Sequence, residues 1–142
     1  MTTSSAQQHL SPVSTPNPTV ATRIGFWAST GLFSLMFALS GAMFLAGPAE
    51  VLASFRHLGY PDYFRYLLGT AKLLGVAALL VPPPSPVLRE WAYAGFAFTC
   101  IAAAASHVMS GDPAGKVFGP MLAMGLLMTS YFTRRRVAHP AA

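Results

Sequence analysis

The sequence predicts an all-α protein: a four-helix transmembrane bundle with a short interfacial amphipathic helix after the first span. Three observations lead there. Hydrophobic residues make up 54% of the 142 residues and charged residues only 9%, with a mean hydropathy of +0.50; soluble domains carry about 25% charged residues. Four apolar stretches have about the length that a helix needs to cross a bilayer. The breaks between them hold proline and glycine, which end helices.

Residues 1–22 are rich in Ser, Thr, Pro and Gln and show no apolar period. That is the pattern of a disordered polar tail. No basic segment precedes a short apolar core, so a secretory signal is not indicated. The membrane domain is expected over residues 23–136, with a short tail at 137–142.

The first span covers about 25–45 and carries no charge. Gly31, Ser34, Ala38 and Gly41 recur along it at helical spacing. Such a small-residue stripe lets a second helix backbone come close. Residues 48–58, PAEVLASFRHL, read as the amphipathic helix. Proline suits its first turn, and Glu50 suits the positive end of its dipole. Val51, Leu52, Phe55 and Leu58 share a face. Gly59 can close it in the left-handed conformation, and Pro61 prevents continuation. This helix is expected on the membrane surface, where Tyr60, Tyr63 and Tyr66 mark the interface.

The second span is 63–81, YFRYLLGTAKLLGVAALLV. Lys72 sits at its middle, roughly 14 Å from the Tyr63 end. An ammonium near the bilayer centre costs about 3 kcal/mol on the insertion scale. Gly69 and Gly75 flank it at three-residue spacing, so its face reads as a packing face. Two readings are open: an anion or polar-ligand site inside the membrane, or a snorkelling lysine or structural ion pair.

The proline-rich run 82–86 makes a rigid extended turn. The third span starts at Glu90 or Trp91 and ends at Met109. Tyr93, Phe96, Cys100, Ala103, Ala104 and His107 fall near one face of it. Residues 110–113, SGDP, are a turn by residue type. The fourth span, 117–132, is the weakest of the four and holds Gly119, Pro120 and Gly125.

Four spans place both termini on one side, together with Arg23, Arg89 and the run Arg134, Arg135 and Arg136. Arg56, Arg65 and Lys116 lie on the other. The excess favours cytoplasmic termini. A nucleic-acid partner is not expected, because no basic soluble face exists. The single cysteine excludes dithiol chemistry. A transmembrane bis-histidine haem needs two intramembrane histidines, and only His107 qualifies. No zinc ligand set, phosphate loop or Ser-His-Asp arrangement is legible.

The chemistry-bearing residues left are Lys72 and His107, with Glu50, Asp62 and Asp112 as candidate carboxylate partners on the outer side. Glu50 is favoured, because its short helix can lie over the mouth of the bundle. Lys72, His107 and one carboxylate would form a polar cluster under the outer interface. Alternatively, His107 is a helix-end histidine bonded to a carbonyl or to water. No metal is expected.

LGYPDYFRYLLGTAKLLGVAALL followed by LREWAYAGFAFTCIAAAASHVMSGDP resembles the DoxX-like family of small four-helix membrane proteins, including its DoxD-type members. The resemblance covers about 26–134. It rests on three elements together: Gly59-Tyr60-Pro61, Gly69-x-x-Lys72-Leu73-Leu74-Gly75, and Glu90-Trp91-Ala92-Tyr93-Ala94-Gly95. It implies a multi-pass protein of a bacterial inner membrane. The wider group includes a membrane subunit of a thiosulfate–quinone oxidoreductase. An accessory or ligand-binding subunit of a quinone-linked redox process is therefore the expected function. Quinone is the cofactor this admits. Membrane lipids, a membrane redox protein and further copies of the chain are the expected partners. A small proton-coupled transporter, or a carrier or binder of lipid or small molecules, is the alternative. No catalytic role comes with the matching residues Lys72, Glu90, Trp91 and His107.

Overall fold

The computed structural model describes residues 19–82 and 85–138. The polar tail expected before residue 19, the middle of the proline run and residues 139–142 lie outside the described residues. Five helices are present: α1 (Val20–Ala46), α2 (Ala49–His57), α3 (Phe64–Leu80), α4 (Pro86–Met109) and α5 (Ala114–Ala138). Among the described residues there is no strand.

Helices α1 and α4 begin earlier than the apolar stretches suggest, and each extension has a local cause. The Thr19 side chain accepts from the Thr22 amide and starts α1 within the segment read as tail. Ser85 accepts from the Val87 amide and Pro86 stands in the first turn, so α4 starts four residues before Glu90. α5 spans 25 residues and carries Pro120 within it. α1 and α4 are long and apolar enough to cross a membrane by length and composition. α3 has 17 residues.

Glycines in the left-handed conformation close three helices: Gly47 at φ 65°, Gly59 at 78° and Gly111 at 71°. At Gly59 two hydrogen bonds finish α2. The Tyr60 amide donates to Phe55 O at 2.9 Å, and the Gly59 amide to Arg56 O at 3.0 Å. This paired closure needs a residue at positive φ, which glycine adopts without a Cβ clash. Gly111 repeats it after α4, with the Asp112 amide donating to His107 O at 3.0 Å.

α1 packs on α3 and α5, and α4 packs on the same two, so the four long helices form a ring of neighbours. Phe33, Phe37, Val76, Leu79, Phe96 and Leu127 form the centre of the core. Phe33 and Phe37 stack at 4.3 Å, and Phe96 meets both edge-on. Cys100 lies in this core. A buried hydroxyl cluster ties three helices together: Ser130 bonds Thr30 at 2.6 Å and Tyr93 at 2.9 Å. At one end of the ring Arg134 pairs with Glu90. At the other, Arg65 donates to Phe44 O at 2.7 Å and Leu45 O at 3.0 Å. Arg65 is therefore a buried cap on the C-terminal carbonyls of α1, where a cation is favoured.

Candidate functional site

The site is set by how closely α1 and α3 approach. Within the predicted small-residue stripe, Ser34 and Gly41 are buried, while Gly31 is exposed. Gly41 faces Gly69, and the carbonyl oxygen of each lies about where the other's Cβ would stand, at 3.0–3.1 Å. One turn along α3, Lys72 is 8% exposed. Gly75 follows, and its missing side chain makes room for the Phe96 ring, 2.6 Å from where a Cβ would stand. The glycines flanking Lys72 thus serve two different neighbours, α1 on one side and α4 on the other.

Across the α1–α3 contact, Lys72 Nζ donates to Ser40 Oγ at 2.8 Å. It lies 3.9 Å from the centre of the Phe44 ring and 5.1 Å from that of Phe37. The ammonium thus tips toward the α2 end of the molecule. The ring faces supply an electrostatic partner. The ion-pair expectation is corrected here: Glu50, Asp62 and Asp112 form no ion pair with Lys72, and Asp62 pairs instead with Arg56 at 3.3 Å. Ser40 sits one position from Gly41. The same glycine contact brings it to the lysine, and its place beside the small-residue stripe was the available signal.

Lys72 lines a cavity of about 560 Å³ between α2, α3 and α4. Phe55, Phe64, Leu68 and Phe98 give it apolar walls. Glu50, His107 and Lys116 bring polar groups to it. Of its charged lining residues, Lys72 is buried, whereas Glu50 and Lys116 are exposed. The cavity therefore runs from a polar rim inward to an ammonium. Volumes of about 300–1,000 Å³ are usual for small-molecule sites.

Asp112 stands one step behind the cavity. It accepts from His107 Nδ1 at 2.8 Å and from His57 Nε2 at 3.1 Å. The hydrogen bond from His107, aided by that from His57, holds its carboxyl below the usual range, against partial desolvation. The result is a clasp joining α2 to the α4–α5 turn. Tyr60 adds to it with a 2.6 Å bond to Ser106. Three of the five residues chosen from sequence (Lys72, His107 and Glu50) therefore share one cavity, Asp112 orients one of them, and Asp62 stands apart with Arg56. Among the described residues, no three His, Cys, Asp or Glu side chains are placed to hold a metal ion. His57 and Tyr60 were missed. Nothing in a linear pattern pairs α2 with a turn 55 residues later.

Searches of curated proteins and of solved structures give no match. A sequence profile of the DoxX-like family matches residues 18–130, which include every residue that lines the cavity. The chain belongs to the DoxX-like family.

Proposed function

We propose that this is a membrane protein whose four long helices cross the bilayer, and that it serves a quinone-linked redox process as an accessory, ligand-binding subunit. The observation carrying the ligand-binding reading is the buried ammonium of Lys72 on an apolar cavity of about 560 Å³. Large apolar side chains exposed on all four long helices support the spanning reading. They include Trp27 and Leu39 on α1, Leu74 on α3, Ile101 on α4, and Phe118 and Phe132 on α5. A water-facing surface rarely carries so many. The arginine run near the end of α5 supports cytoplasmic termini in a bacterial inner membrane. The redox connection rests on the family's wider group.

The test is chemical. The full chain is purified in mild detergent, extracted with organic solvent, and the extract examined for a stoichiometric quinone or lipid. The reading expects one that is depleted in Lys72→Met. An extract identical to the detergent background would overturn it. A transport reading has one observation in its favour: Lys72 also borders two further cavities of about 170 Å³ each. Proton-coupled uptake into vesicles would replace the accessory reading with that one.

A further inference from the structure

The charge at the inner end of the cavity has no counter-ion among the described residues. Lys72 has one hydroxyl and two ring faces as partners, and among the described residues no carboxylate pairs with it. A buried charge is ordinarily paired and hydrogen-bonded. Most polar groups elsewhere on the wall are engaged or exposed: His107 is held by Asp112, Ser106 by Tyr60 and Thr99 by the Gly95 carbonyl, Glu50 and Lys116 stand at the rim, and Ser54 on α2 is half-buried. Between rim and ammonium the walls are mostly aromatic and aliphatic, with the hydroxyls of Ser54 and Thr99 among them.

We infer that the cavity takes a single-chain lipid acid, with the carboxylate against Lys72 Nζ and the hydrocarbon chain along Phe44, Phe55, Leu68 and Phe98. The proposal rests on the reading of the cavity as a ligand site and names the class of ligand. A small free anion would satisfy Lys72 and leave the apolar walls without contact. A neutral amphiphile would cover the walls but bring the ammonium no opposite charge. The acid does both, and a charged hydrogen bond supplies the preference for it.

The experiment uses the full purified chain in detergent and a fluorescent long-chain fatty acid as probe. Saturable binding is expected, with displacement by palmitic acid. The corresponding alcohol should compete about tenfold more weakly or worse, and acetate should not compete. Lys72→Met should weaken the acid about tenfold or more and leave the alcohol unchanged. Ala102→Phe, which narrows the same cavity and retains Lys72, should weaken acid and alcohol alike. Equal competition by acid and alcohol, with Lys72→Met indifferent, would overturn the acid and leave the cavity standing as a ligand site. Tight competition by a quinone but not by palmitic acid would do the same. Probe binding that is untouched by both variants, or absent altogether, would overturn the site itself. Displacement by acetate would reassign it to small anions.

Discussion

Gly41 on α1 and Gly69 on α3 face each other with no side chain between them, and a Cβ on either would stand 3.0–3.1 Å from the other's carbonyl oxygen. This contact brings Ser40 and Phe44 within reach of Lys72. Gly69→Ala should force the helices apart at a cost of about 1–3 kcal/mol. The gain of up to about 1 kcal/mol from replacing a helical glycine offsets only part of it. Gly31→Ala is the control, because nothing lies within 4 Å of the added methyl. It should leave the melting temperature in detergent unchanged or slightly raised. Equal behaviour of the two variants would refute the close-contact account.

Lys72→Met should fold, and should be more stable by about 1 kcal/mol or more, because it removes a buried charge without orphaning a partner carboxylate. Glu50→Gln and Asp62→Asn should change stability by less than about 0.5 kcal/mol, since neither side chain pairs with the lysine. Thermal unfolding of the three variants in one detergent checks this. A large loss in Glu50→Gln would mean that the carboxylate supports the ammonium after all.

Acid should loosen the clasp between α2 and the α4–α5 turn. Asp112 is held below its ordinary value of 3.8 by hydrogen bonds from His107 and then His57. A depressed carboxylate contributes stability that is fully present above the unfolded value and lost as pH falls through the folded one. Protection of the Val51 and Phe55 amides, taken relative to their intrinsic exchange rates, should therefore fall as pH drops below about 4. Asp112→Asn should show fast exchange already at neutral pH, with little further acid response. An acid profile unchanged by Asp112→Asn would remove the clasp from the explanation.

Gly59→Val should destabilise the end of α2 by about 1–2 kcal/mol. The cause is conformational only: φ is 78°, and nothing lies within 4 Å of an added Cβ. Gly59→Asn should recover part of the loss, because asparagine tolerates this conformation better. A Gly59→Val protein as stable as the parent would show that the cap contributes nothing.

Replacing Arg134, Arg135 and Arg136 together by glutamine should disturb membrane orientation more than replacing Arg56 and Arg65 by glutamine. Arg65→Gln should add a fold-level defect, since it leaves the last carbonyls of α1 without their donor. Reporter fusions after Ala142 read the first effect, and thermal stability reads the second. A reporter active only on the outer side would reverse the proposed orientation.

Composition and periodicity were enough to specify helices throughout, their approximate limits, the amphipathic character of α2 and its glycine stop. Hydrophobic burial and backbone geometry are local or periodic properties, so a linear sequence carries them. The anomaly of Lys72 was equally legible, because a charge amid apolar residues needs no neighbour to be recognised. Its partner was not. Three carboxylates on the outer side were all reasonable by charge, yet the lysine reaches a serine and two phenylalanine rings. Reach depends on how near two backbones come, and that follows from Gly41 meeting Gly69 rather than from either stretch alone. Arg65 shows the same division. By sequence it is an interfacial charge, but packing turned it into a cap on another helix. The clasp of His57, Asp112 and His107 joins a surface helix to a distant turn, so only the tertiary structure could bring its three side chains together.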